Sequence, residues 1–313
     1  MSTEPSEIRP TLSVIIPAYN SHDTLAGCLE ALSRQTFQDF ETVVVDSGPD
    51  ATAERLVPER FPWVRYVRVR HRLLPHAARN HGVEVSRGDL LVFTDPDIYA
   101  HPEWLEKLLE AHRSTREVIV GALACYGERW VDQGIHLCKF SKWLPGGSPR
   151  PVDMSPTANM LLTRRQFEEA GGLPGAEMLG DVTLSRSLHH NGRRLWFEPR
   201  AVVEHHHIQG VKDYLRERYT RGKMFGDLRV GWLAGRRRAS FKYLAVTVLP
   251  VRLARVLGLV GLHAWRAGQT SWYLATLPLV VAGHGASLAG EAIAYARHLI
   301  PGRQREGSNP ESR

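Results

Sequence analysis

Leu90-Leu91-Val92-Phe93-Thr94-Asp95-Pro96-Asp97 is an apolar run that ends on two carboxylates one residue apart. A short apolar run closed by a turn signal reads as a buried strand. A buried strand that runs into paired acids delivers them to the carboxyl edge of a sheet, where open α/β folds bind ligands. On a turn stiffened by Pro96, both acids can approach one hard divalent cation and the phosphates it holds. Asp-Pro is also ordinary turn chemistry, so the stretch takes its meaning from the units around it.

Those units repeat one rhythm. Leu12 to Ile16 is an apolar run closed by Pro17-Ala18-Tyr19-Asn20, a first strand and its loop. Ser21 or Asp23 can cap the next helix, where Leu25, Leu29 and Leu32 recur at helical spacing. Thr42 to Val45 is a second strand ending on Asp46, followed by a helix near residues 51–60 and a strand over Arg65 to Val69. A helix from His76 to Ser86 leads into the strand that ends at Asp95. Strands alternating with helices in this way imply βαβ crossovers and a mostly parallel sheet.

The second half is less regular. Val118 to Ala124 and Asn159 to Thr163 read as strands, with Trp143 to Pro156 as a loop between them. Arg164 to Ala170 reads as a helix stopped by Gly171-Gly172, and Asp181 to Asn191 as a helix stopped by Gly192. Leu195 to Phe197 and Ala201 to Val203 are short strands that lead into His205-His206-His207.

Composition bounds the rest. The chain has 313 residues, 43% of them hydrophobic and 23% charged, which suits a folded protein with one large α/β domain and an appendage, or with two modest domains. Three widely spaced cysteines without a CxxC pattern point to reduced thiols rather than a disulfide or zinc framework. Met1 to Pro10 is polar, so no secretory signal is expected. Between Lys212 and Lys242 stand ten Lys or Arg against three acids, an excess equal to the whole chain's net charge of +7. Past residue 240, Tyr243 to Val251, Val256 to Trp265 and Ala267 to Gly290 carry no Asp, Glu, Lys or Arg. A basic segment ahead of apolar sequence points to an anionic membrane surface rather than to nucleic acid. Arg252, Arg255, Arg266 and Pro278 interrupt the apolar stretches, so interfacial or re-entrant helices are favoured over a true span.

Taken in order, Val14 to Asn20, Val43 to Gly48, Ala78-Arg79-Asn80-His81-Gly82, Asp95-Pro96-Asp97, Gly171-Gly172-Leu173, Gly180 to Leu184 and Pro199 to His205 resemble the family 2 glycosyltransferases, of the membrane-associated type. The resemblance covers residues 11–208 and implies the GT-A fold, with a nucleotide-sugar half over 11–100 and an acceptor half over 101–208. A basic, then apolar, membrane-associated helical region follows over 209–300, between disordered ends at 1–10 and 301–313.

The resemblance also implies roles. Pro17, Ala18 and Tyr19 would line the nucleotide, and Asp46 would accept a hydrogen bond from the base, unless it only caps a turn. Arg79 and Asn80 would reach the donor's phosphates or sugar, although an Arg on an exposed helix face is the ordinary alternative. Asp97 would bind Mg²⁺ or Mn²⁺ and Asp95 the ribose or sugar, or the ion through water, while His205 would complete the metal site or touch the diphosphate. Alternate side chains of a strand face opposite ways, so only His205 and His207 of the three histidines can point together. Asp181 would be the general base that deprotonates a hydroxyl of a glycan or lipid-linked acceptor, or else an N-cap. The glutamate the family usually carries just before that base is Gly180 here, with Glu177 near enough in sequence to substitute. Arg218, Tyr219 and Gly222 could close over the diphosphate, or lie on a solvated basic helix.

The expected activity is a metal-dependent, inverting transfer of a sugar from a nucleoside diphosphate sugar at the cytoplasmic membrane face. A nucleotidyltransferase would need a Gly-rich phosphate loop near the first strand, and none is present. A non-catalytic, donor-binding scaffold is the remaining alternative, kept open by Gly180.

Overall fold

The computed structural model describes residues 9–175, 179–207, 209–232 and 237–300. Glu177, the tail at 301–313 and most of the first ten residues therefore lie outside the described residues. The chain divides into two compact units, Met1–Gly127 with Trp143–His207, and Glu128–Lys142 with Ile208–Arg313.

The first unit is built on one nine-stranded sheet. Its leading strands are β1 (Leu12–Ala18), β2 (Phe40–Asp46), β3 (Val64–Arg68) and β4 (Leu90–Thr94). They stand in the order β3-β2-β1-β4, and every neighbour pair is parallel. The helices α1 (His22–Ser33), α2 (Thr52–Arg60) and α3 (Pro75–Val85) supply the crossovers that parallel neighbours need. All seven residues of β1 are buried, which explains the continuous apolar run: covered on both faces, a strand cannot alternate with polar residues.

Beyond β4 the sheet is mixed rather than mostly parallel. The order continues through β8 (Asn159–Thr163), β6 (Val118–Cys125), β9 (Leu195–His205) and β5 (Ile98–Ala100), with β7 (Arg150–Val152) also on β9. β8 runs antiparallel to both β4 and β6, and β5 and β7 run antiparallel to β9. β8 is entered from an irregular stretch rather than from a crossover helix, so nothing forces it to follow the direction of β4.

The two short strands expected at 195–203 are one strand, with an irregularity in its middle. Glu198 stands opposite Gly121 and Val202 opposite Ala122, so Pro199, Arg200 and Ala201 bulge out of register. Asn159 secures that place. Its fully buried amide donates to Ala122 O (2.9 Å) and Ala201 O (3.0 Å) and accepts from Trp104 Nε1 (2.8 Å). Three satisfied bonds are what allow an amide so deep in the core. Trp104 opens α4 (Trp104–Thr115), a helix the sequence reading passed over, whose buried face is Trp104, Leu105, Leu108 and Leu109.

The second unit is helical: α5 (Trp130–Phe140), α8 (Val211–Trp232), α9 (Arg237–Val248), α10 (Pro250–Arg266) and α11 (Thr270–Leu299). The helices α6 (Arg164–Glu169) and α7 (Gly180–His190) belong to the first. α8 and α11 pack backbone to backbone. A Cβ on Gly222 would strike Ser287 O, and one on Gly290 would strike Tyr219 O. Glycine lets the two axes approach this closely.

The one acid of α11, Glu291, is 5% exposed and fully engaged. Arg252 donates to both its oxygens at 2.9 and 2.8 Å, and Arg229 and Tyr295 each donate to Oε2 at 3.1 Å. Such pairing is the condition on which a charge can be buried. By contrast Phe241, Val251 and Trp265, on α9 and α10, are 65%, 71% and 68% exposed. α9 and α10 meet at a 66° bend, and α11 has the length and apolarity to cross a bilayer.

Candidate active site

Parallel register brings the carboxyl ends of the first strands together. Ala18 stands beside Asp46, Asp46 beside Arg68, and Ile15 beside Phe93, two residues short of Asp95. A cleft at that edge is lined by Ala18, Asn20, Ser21, Asp46, Gly48 and Asp50. Pro17 and Ala18 are still inside β1, and Ala18 forms the cleft wall. Asn20, with φ of 52°, then turns the chain in the left-handed region that asparagine tolerates. Tyr19 is left 38% exposed, with the Arg72 guanidinium 4.7 Å from its ring centre.

Asp46 is 3% exposed and firmly held. Oδ1 accepts from Gly48 N (2.8 Å), while Oδ2 accepts from Tyr66 OH (2.6 Å) and Arg68 Nη1 (2.9 Å). Burial and the bond to Asp46 together push the Tyr66 hydroxyl up from its ordinary pKa. The carboxylate therefore stays fixed at the cleft, with acceptor capacity left on Oδ1.

Asp95 pairs with Arg79, whose side chain is 2% exposed while that of Asp95 is 28% exposed. Arg79 is thus not on an exposed helix face; it reaches the acidic motif from the buried side of α3. On the other acid, Asp97 Oδ2 lies 3.8 Å from His205 Nε2. β5 and β9 create this meeting, since Ile98 is the register partner of His205 and His206 N donates to Asp97 O at 2.8 Å. His205 and His207 stack with ring centres 4.4 Å apart. His206 faces the other way, 4.7 Å from Tyr126 and 3.1 Å from Tyr99 OH through Nδ1. An oxygen and an imidazole nitrogen at this separation can share one divalent ion, because each ligand bond is roughly 2.0–2.2 Å. The acids' field is felt nearby: burial first, then Asp97 and Asp95, raise the Cys28 thiol above its ordinary pKa.

Asn80 is engaged with a backbone segment. Its Nδ2 donates to Leu173 O (2.7 Å) and its Oδ1 accepts from Leu173 N (3.1 Å). With both ends of its amide on one backbone residue, Asn80 holds the loop after Gly171-Gly172. Those two glycines, at φ of 83° and 70°, make the turn. The loop leads to α7, in whose first turn Asp181 accepts from Val182 N at 3.0 Å. The N-cap of α7 is Leu179, so Asp181 sits inside the helix and is not its cap.

The residues missed from the sequence are those that hold the visible ones. Tyr66 and Arg68 alternate onto one face of β3, and that pattern ending opposite Asp46 was a usable signal. Nothing local marks Arg72 or His76.

A model of the family described as Glycosyl transferase family 2 matches residues 13–172. Glycosyltransferase AglE of Haloferax volcanii is 26% identical over 236 residues, 72% of this chain and 76% of that protein. Validoxylamine A glucosyltransferase of Streptomyces hygroscopicus subsp. jinggangensis is 34% identical over 125 residues, but this chain covers only 29% of its length. Among solved structures, S. aureus TarS 1–349 in complex with UDP-GlcNAc superposes with a TM-score of 0.52 at 18% identity, over 68% of this chain and 66% of that one. GalNAc-T7 with UDP, GalNAc and Mn²⁺ gives 0.53 at 18%, over 64% and 45%. The sheet order, the helices that flank it and these likenesses agree: the chain belongs to glycosyl transferase family 2 and has the GT-A fold.

Proposed function

We propose that the protein transfers a sugar, with inversion, from a nucleoside diphosphate sugar to a hydroxyl of a glycan or lipid-linked acceptor, in a metal-dependent reaction. The observation that carries this reading is the meeting of Asp97 and His205, 3.8 Å apart, beside the Arg79–Asp95 pair at the carboxyl edge of the sheet. Asp46 receives the nucleobase in the cleft beside Ala18, with Tyr19 at its rim. Arg79 orients Asp95 toward the donor's ribose or sugar. Asp97 and His205 would hold the divalent cation. When bound, that cation supplies Lewis-acid stabilisation of the charge on the departing diphosphate.

The acceptor oxygen attacks the anomeric carbon on the face opposite the diphosphate. The bond from carbon to phosphate oxygen breaks, and its electron pair stays on the diphosphate. Asp181 takes the hydroxyl proton as the new bond forms. A positioned base of this kind contributes roughly 10²- to 10⁴-fold.

The helical unit supports a membrane location. Arg237, Arg238 and Lys242 are exposed beside the exposed apolar residues of α9 and α10. That combination favours an anionic membrane surface, with basic side chains at the headgroups and apolar ones beneath them. We place the protein at the cytoplasmic face.

Calorimetry with UDP, GDP and dTDP, in Mn²⁺ or Mg²⁺ and then chelator, tests the donor site. Metal-dependent binding of one nucleotide is expected; binding of none would overturn the reading. Asp181→Asn should bind that nucleotide as the parent does while transfer falls about 10²-fold or more. Transfer at the parent's rate would remove Asp181 as the base.

A further inference from the structure

Gly180, where the resemblance expects a glutamate, is small for a specific reason. A Cβ built there would lie 2.6 Å from His76 Cδ2, 2.8 Å from Cγ and 3.0 Å from Nε2. His76 is 6% exposed and sits in the first turn of α3, directly after Pro75. While its ring stays in place, no side chain fits at 180.

α3 meets this segment at two further points. Asn80 holds the backbone of Leu173 at both ends of its amide, and a Cβ on Gly175 would lie 3.2 Å from Ala77 Cβ. Residues 76, 77 and 80 share one side of the helix, since positions four apart lie one above the other. α3 is itself anchored at its far end, where the Arg164 guanidinium donates to Val83 O (2.8 Å) and Ser86 O (3.0 Å). One firm helix therefore runs beside the segment that carries Asp181. Leu179, the N-cap of α7, makes no side-chain cap hydrogen bond.

We propose that His76 is a positioning residue for Asp181. Packed on Gly180, its ring does from a neighbouring helix what an acidic side chain at 180 would do from its own: it fixes the first turn of α7 and aims the carboxylate of the next residue. The inference rests on Asp181 being the base. On this account Gly180 is one half of an exchange, whose other half is His76, and not the mark of an idle site. Residues 76 and 180 form one steric pair, in which a larger group at one position requires a smaller group at the other.

The test uses the full chain as parent, His76→Ala, Gly180→Glu and the double variant. Each is assayed for nucleotide affinity, for melting temperature, and for kcat and acceptor KM. The assay uses a detergent extract of membranes as acceptor and the nucleotide sugar that calorimetry selects. Each single variant should keep the parent's nucleotide affinity and lose about 10- to 10²-fold in kcat, the scale expected when a reacting group is misplaced by about 1 Å. The double variant should recover most of that loss. A double variant no faster than the slower single variant would overturn the proposal, as would His76→Ala turning over at the parent's kcat. A merely structural histidine would lower the melting temperature and leave kcat per folded molecule unchanged, which also overturns it. A parent that binds nucleotide yet transfers nothing removes the base assignment beneath the proposal, so that failure is distinguishable from the others.

Discussion

The sheet unit and the helical unit bury different things. In the first, apolar strands such as Leu12–Ala18 are sealed on both faces, and the polar groups at their ends are clamped by side chains from neighbouring strands. In the second, α8 and α11 meet through glycines, one acid is enclosed by two arginines, and large apolar side chains face outward. Similar apolar content serves a closed core in one case and an open surface in the other. The lesson is that apolar residues in a sequence do not by themselves say what they will be buried against. The order and spacing of small and charged residues among them does.

Four experiments would break or sharpen this contrast. Asp97→Asn should have the largest effect, a fall in transfer of about 10³-fold with the melting temperature unchanged, because it removes charge aimed at the reacting phosphates and little packing. An active variant would mean that the sheet edge does not hold the cation through Asp97. Gly290→Leu should come next. Overpacking of a close helix contact costs about 1–3 kcal/mol, read as a lower melting temperature, with nucleotide affinity unchanged. A parallel loss of affinity would show that the two units are not energetically separate.

Replacing both Val251 and Trp265 by Ser should weaken binding to vesicles containing anionic lipid by about 10-fold or more, since each side chain contributes about 1.5–3 kcal/mol when fully buried. Unchanged binding would leave the outward apolar surface without a membrane role. The smallest effect is expected for Tyr66→Phe. Losing one hydrogen bond to Asp46 costs roughly 1 kcal/mol, a weakening of nucleotide affinity of about 5-fold by calorimetry. Affinity that rose instead would mean Tyr66 competes with the base for Asp46.

Much of the sheet unit was legible because its signals are local. The strand ends at Ala18, Asp46 and Thr94 are each marked by a turn residue or an acid directly after an apolar run, and the helices between them keep helical spacing. Strand alternation predicts that His205 and His207 point together, and their rings do stack, although β9 itself ends at His205. What stayed hidden depends on residues far apart in sequence. β5 is three residues long and exists because β9 pairs with it. The partner of Asn80, Leu173, lies 93 positions away. Gly180 reads as a loss until His76 is seen in the vacated space. The antiparallel entry of β8 was unreadable for the same reason: strand direction is set by neighbours, which no run of residues encodes.

The bulge on β9 gives the last of these its sharpest form. Three residues, Pro199 to Ala201, stand between Glu198 and Val202 where the facing strand moves on by one, and Asn159 bridges the place. Every side chain downstream inherits its facing from the parity of that count. Lose one residue there and His206 would arrive opposite Ile98, with His205 in the place of Glu204 opposite Tyr99. The composition of the chain would hardly change, and Asp97 would keep an imidazole neighbour, that of His206 in place of His205. In this protein the length of a bulge selects which of three adjacent histidines faces Asp97, and the run of three leaves a nitrogen at that place even when the count slips by one.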